Sequence, residues 1–133
     1  MTVLVDTSAF VALLDEDDHH HDRAARVLAD LLAADTALLT HEYVVVETIS
    51  LVQRRLGMDV LRRFIDDLLP LLEIEWVAPA LHAQAREAML AGGQRSVSLV
   101  DWTSFLVMRR RGIGTAFAFD EDFAAQGFEV LGG

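Results

Sequence analysis

Short apolar runs, two of them closed by an aspartate, alternate along this chain with amphipathic segments of helix length. Val3 to Val5 reads as a buried strand that runs into Asp6, and helical spacing follows from about Ser8 to Asp15, with Phe10, Val11 and Leu14 on one face. The polar stretch Asp15-Glu16-Asp17-Asp18-His19-His20-His21-Asp22 leads into a second helix striped by Ala25, Leu28, Leu31 and Leu32. Thr36 to Leu39 is a second strand, and Thr40 is placed to cap a long helix that ends at Gly57. Met58 to Leu69 is a further amphipathic helix stopped by Pro70, and Glu73 to Val77 is a strand. Pro79 opens a helix closed by Gly92-Gly93, and Ser98 opens another that runs to Arg111 before Gly112. Thr115 to Phe119 and Phe128 to Leu131 complete the strands. Such alternation predicts an α/β fold, with a central parallel sheet of about five short strands sandwiched between helices through right-handed crossovers.

The chain has 133 residues and is 53% hydrophobic, enough for one domain over residues 1–133 with a real core and too short for two. No linker, repeat or low-complexity segment interrupts it. Cysteine is absent, which excludes disulfides, thiolate zinc sites and cysteine nucleophiles and fits a reducing compartment. The start, Met1-Thr2-Val3-Leu4-Val5-Asp6, lacks the basic region and long apolar stretch of a signal peptide, and no run approaches membrane-spanning length. A cytoplasmic protein without membrane association is expected.

A net charge of -10 argues against nonspecific electrostatic binding of nucleic acid by the whole surface. All eleven basic residues are arginine, and seven of them are grouped as Arg54-Arg55, Arg62-Arg63 and Arg109-Arg110-Arg111. Arginine can fork onto a phosphate, so local phosphate patches fit an acidic protein. Glycine follows soon after two of the groups, however, and the simpler reading is a set of solvated helix C-termini.

Four acids occupy corresponding places in this pattern. Asp6 and Asp120 end strands, and Glu47 and Asp101 lie early in helices that follow strands. In a parallel sheet those places share one edge, the edge at which such sheets bind ligands. Taken singly, each acid has a plain structural explanation. Asp6 suits an N-cap or Asx turn; Ser98-Leu99-Val100-Asp101 matches a capping box; one acid of Asp120-Glu121-Asp122 suits a short helical turn. Glu47 is harder to explain, because Tyr43, Val44, Ser50 and Leu51 surround it at helical spacing and none is a cation. Together the four read as a cage for hard divalent cations. Crowded carboxylates raise one another's pKa and are stabilised as anions by Mg²⁺ or Mn²⁺, which can activate water for phosphodiester hydrolysis.

Val3-Leu4-Val5-Asp6-Thr7-Ser8-Ala9-Phe10, the mid-chain Glu47, Ser98-Leu99-Val100-Asp101-Trp102-Thr103-Ser104-Phe105 and Phe119-Asp120-Glu121-Asp122-Phe123 together resemble the PIN-domain family, and in particular its VapC-type toxins. The resemblance spans essentially the whole chain. It implies a PIN-like three-layer sandwich and a Mg²⁺- or Mn²⁺-dependent endoribonuclease, held inactive by a cognate antitoxin and, once freed, cutting RNA (tRNA, rRNA or mRNA) to stop translation. It makes Asp6, Glu47, Asp101 and Asp120 the acidic cluster, with Asp122 as an additional acid on metal or water and Thr7 and Ser104 as supporting hydroxyls. A homodimer is also implied. An arginine-rich antitoxin segment could enter the carboxylate cluster and displace the metal. Ala118 is a departure, since such proteins often carry threonine two residues before the fourth acid.

Two other functions compete. An Asp6-nucleophile phosphatase or phosphoacceptor generally needs a lysine, and there is none; Ser8 also stands where the dehalogenase pattern wants a second aspartate. A catalytically weak or inactive relative acting only by partner binding is the other alternative. The triple histidine invites a transition-metal reading, but consecutive helical residues point about 100° apart, so a solvated turn is preferred. Trp76 and Trp102 could stack bases; core packing is the expectation for both.

Overall fold

The computed structural model describes residues 1–133. Five parallel strands, β1 (Thr2–Val5), β2 (Ala37–His41), β3 (Glu73–Glu75), β4 (Thr115–Ala118) and β5 (Glu129–Gly132), lie in the order β3-β2-β1-β4-β5. Between them run α1 (Thr7–Leu14), α2 (His21–Ala33), α3 (Glu42–Arg55), α4 (Met58–Arg63), α5 (Pro79–Gly92), α6 (Leu99–Arg111) and α7 (Asp122–Ala125). No helix is long and apolar enough to cross a membrane.

Strand periodicity builds both faces of the core. Val3, Val5, Leu38 and Phe117 point to one side, into a cluster with Phe10 of α1, Leu31 of α2, Val44 and Val52 of α3 and Leu61 of α4. Leu4, Leu39, Ala116 and Ala118 point to the other, against Leu81 of α5, Phe105 and Met108 of α6 and Phe123 of α7. A sheet buried on both faces explains why its central strands are almost wholly apolar. The result is the three-layer α/β sandwich that the alternation implied.

The chain moves from β1 outward to β2 and β3, then returns to place β4 on the other side of β1. Connections therefore diverge between β1 and β4, and a crevice opens at their C-terminal ends, the usual ligand site of a doubly wound sheet. Val5 pairs with Phe117 there, and the Asp6 amide extends the ladder by donating to the Phe117 carbonyl at 3.0 Å.

Several boundaries differ from the sequence expectation, each for a tertiary reason. Thr40 does not cap α3: β2 continues through His41, which is the cap residue, and the Thr40 hydroxyl donates across to the Val5 carbonyl at 2.9 Å. The helix expected over Met58 to Leu69 is regular only to Arg63. It widens into a π turn over Phe64–Leu68 and tightens into a 3₁₀ turn at Leu69–Leu71, where Pro70 has no amide to donate. The third strand stops at Glu75, because the Val77 amide turns to the Glu42 carboxylate, at 2.7 and 2.9 Å. Trp76 consequently projects into solvent at 76% exposure and is not a core residue. Trp102 does pack inward, edge-on to Phe105. The arginine groups close α3, α4 and α6 as helix C-termini, with Arg111 paired to Glu73 and Glu75.

Candidate active site

Asp6, Asp101 and Asp120 meet at the crevice between the ends of β1 and β4. One carboxylate oxygen from each lies within 4.8 Å of the others, and they are the one group of three or more metal-ligating side chains so placed. Each acid also serves as the local cap that the sequence allowed, so the structural and chemical readings coexist. Asp6 Oδ2 accepts from the Ser8 amide (3.1 Å) and hydroxyl (2.7 Å) at the start of α1. Asp101 Oδ2 accepts from the Ser98 amide (2.9 Å) in a complete capping box. Asp120 Oδ1 accepts from the Asp122 amide at 3.1 Å. In each case a backbone amide of the same turn orients the carboxylate, and Asp120 is also hydrogen-bonded to the Asp6 side chain. Capping orients the carboxylate; it does not exhaust it.

Charge in this crevice is not balanced by the protein. The ion pairs of the chain are Arg62–Asp59, Arg111–Glu73 and Arg111–Glu75, all away from the cluster. Burial pushes the Asp6 carboxyl up to about 7, against the Ser8 hydrogen bonds, and the charges of Asp120 and Asp101 add to the rise. Asp101 is pushed up to about 6, again chiefly by burial, with Asp120 and Asp122 contributing. Asp120 is raised by burial and by the Asp122 charge. Three oxygens spanning 4.8 Å or less, hard, anionic and short of a cation, suit a divalent ion with oxygen ligands at ~2.0–2.6 Å.

The remaining candidate residues fall outside this trio. Asp122 opens α7, and its charge acts on Asp101 and Asp120 from the rim. Glu47 is half-buried and lines an open cleft of about 390 Å³ with Tyr43, Val46, His82, Leu99 and Val100, beside Asp101 in sequence but not within the trio's span. Glu47 is only half-buried, so the full cost of burying its charge, inferred from its apolar neighbours, does not arise. Thr7 is buried behind Asp6 and accepts a long hydrogen bond from Thr48 (3.4 Å). Ser104 turns away from the acids, donating to the Val100 carbonyl (3.1 Å) and pairing with His41 Nε2 (2.8 Å). That arrangement fixes the proton of His41 on Nε2 and leaves buried Nδ1 without a partner. Burial holds His41 down at about 4, hence neutral.

Sequence reasoning missed Ser8. Its hydroxyl donates to Asp6 and accepts from the Phe119 amide at 3.0 Å, tying the β1–α1 turn to the end of β4 and so setting Asp6 against Asp120. Asp-x-Ser after a strand is a visible turn signal, but its partner 111 residues away is not.

The PIN domain family model matches residues 3–129. The chain belongs to the PIN domain family. The 23S rRNA-specific endonuclease VapC20 of Mycobacterium tuberculosis is 37% identical over 127 residues, 95% of each chain. The crystal structure of that VapC20, described as a sarcin-ricin loop cleaving toxin, superposes with a TM-score of 0.82 over 95% of both chains. Two more distant structures show the fold alone. FitAcB from Neisseria gonorrhoeae is 21% identical with a TM-score of 0.70, covering 98% of this chain and 96% of its own. VapBC2 from Rickettsia felis, bound to a DNA fragment from their promoter, is 16% identical with a TM-score of 0.72, covering 98% and 97%. In this PIN domain the acidic trio stands at the β1/β4 switch point, and Ala118, two residues before Asp120, is buried in the core.

Proposed function

We propose that this chain is a divalent-metal-dependent endoribonuclease that cuts 23S rRNA in the cytoplasm as the toxin of a toxin-antitoxin pair, its 133 residues acting as one domain. The observation that carries the reading is the convergence of one buried and two half-buried carboxylates with no cation of the chain paired to them. Likeness to a 23S rRNA-specific endonuclease over 95% of both chains supplies the substrate.

Asp6, Asp101 and Asp120 would hold Mg²⁺ or Mn²⁺, with Asp122 reaching the site from the rim and Glu47 acting from the adjoining cleft. A cation bound there supplies polarisation of the phosphoryl oxygen, a more acidic attacking water and charge neutralisation at the leaving oxygen. The chain does the rest. Ser8 and Ser98 hold the Asp6 and Asp101 carboxylates in place before substrate arrives. The Asp6 carboxyl, raised to about 7, is partly protonated at neutral pH, and binding a cation expels that proton. Helices α1 and α6 both begin at this edge, and their N-terminal dipoles favour an approaching phosphate. An arginine from the cognate antitoxin, placed among the same carboxylates, would replace the metal charge and silence the enzyme. A homodimer completes the reading, and light scattering on the purified chain tests it.

The functional test is cleavage of 23S rRNA by purified protein, with ends mapped in Mg²⁺, in Mn²⁺ and in chelator. A discrete cut is expected with either ion and none in chelator. A cut that persists unchanged in Asp6→Asn and Asp101→Asn proteins overturns the assignment.

A further inference from the structure

The rings of the triple histidine and the neighbouring acids do not converge as the acidic trio does. His21 turns inward, with Nδ1 2.8 Å from the Ala12 carbonyl. The other two rings form a column. His20 stacks on Phe119 with ring centroids 4.5 Å apart and planes 20° from parallel, and His19 leans on His20 at 3.8 Å and 39°. The column is braced from both ends. Asp18 Oδ1 accepts from the His20 amide at 2.8 Å, and the Phe119 amide is held by Ser8, the residue that fixes Asp6. Phe119 directly precedes Asp120. Flat rings thus run from Phe119, whose backbone adjoins Asp120 and bonds to Ser8, to exposed His19.

Resting on the endoribonuclease reading, we propose that this column is a stacking platform for one unpaired nucleobase of the RNA, at a nucleotide flanking the cleaved bond. Flat faces are what bases recognise without regard to sequence, and single-stranded loops offer bases already free to stack. The surroundings select a base over a phosphate: Asp15, Glu16, Asp17, Asp18 and Asp22 share the turn, so an anion is repelled while a neutral base face is not. No arginine takes part in the column. Its role is to position substrate, since neither histidine touches the trio's fixed oxygens.

The test is a protein–RNA double-mutant cycle, using a synthetic hairpin spanning the mapped 23S rRNA site and the same hairpin made abasic at each flanking nucleotide in turn. His19→Ala/His20→Ala should raise KM about ten-fold with kcat within about two-fold, and His19→Phe/His20→Phe should restore KM. One abasic position should cost wild type a similar factor and cost the double-alanine protein nothing further. Losses that multiply at every abasic position, or a double-alanine KM equal to wild type, overturn the platform while leaving the nuclease reading intact. Wild-type protein that cuts no hairpin overturns both.

Discussion

The turn from Asp15 to Asp22 packs five acids and three histidines into consecutive positions, whereas the sheet edge gathers Asp6, Asp101 and Asp120 from nearly the whole length of the chain. Acids in the turn serve their own backbone, Asp15 accepting from the Asp17 amide and Asp18 from the His20 amide, and stay in contact with water. Acids at the edge do the same local work, yet the fold brings them together and takes enough water from them that all three carboxyls are raised, Asp6 to about 7 and Asp101 to about 6. What distinguishes a metal site from an acidic patch is the desolvation and convergence imposed by a topological switch point, not the density of charge along the sequence.

The largest expected effect breaks the edge. Asp6→Asn or Asp101→Asn should lower RNA cleavage on the order of 10³-fold while circular dichroism shows the fold intact, because the amide oxygen can still accept from Ser8 or Ser98. Stability should move the other way. The Asp6 carboxyl is raised in the folded state, so folding takes up a proton between about 4 and 7 and metal-free wild type loses stability as pH rises through that window. Asp6→Asn carries no such penalty. Its melting temperature in chelator should exceed that of wild type by a margin that grows from pH 4 to pH 7 and then levels, and a divalent cation should close the gap from the wild-type side alone. A margin that shrinks with rising pH would contradict the burial of that charge.

Glu47→Gln sharpens the boundary of the site. From its cleft outside the trio it should cost roughly ten-fold in cleavage, well short of Asp6→Asn. The smallest effect belongs to the turn: Asp17→Asn/Asp22→Asn removes two exposed charges and should leave cleavage within about two-fold of wild type in physiological salt.

The same contrast explains what could be read in advance. Asp6 and Asp120 were legible because an apolar strand delivers the next residue to the sheet edge, and Asp101 because Ser98-x-x-Asp101 marks a helix start wherever it occurs. Local spacing also gave the ends of α5 and α6, where Gly93 and Gly112 adopt left-handed backbone. Thr40, Trp76 and Ser8 were not legible. Each owes its place to a hydrogen bond from a remote segment: Thr40 to Val5, Val77 next to Trp76 to Glu42, Ser8 to Phe119. Glu47 was half legible, since the sequence shows that no local cation pairs with it but not that the fold leaves it half-buried outside the trio.

Calorimetric titration of Mn²⁺ into wild type, Asp6→Asn/Asp120→Asn and Asp17→Asn/Asp22→Asn proteins tests the central claim most directly. Binding with proton release near pH 7 is expected in wild type and in the turn variant, and its loss in the edge variant. Binding that survives in the edge variant, or disappears with the turn's acids, would contradict the assignment of the metal to the switch point between β1 and β4.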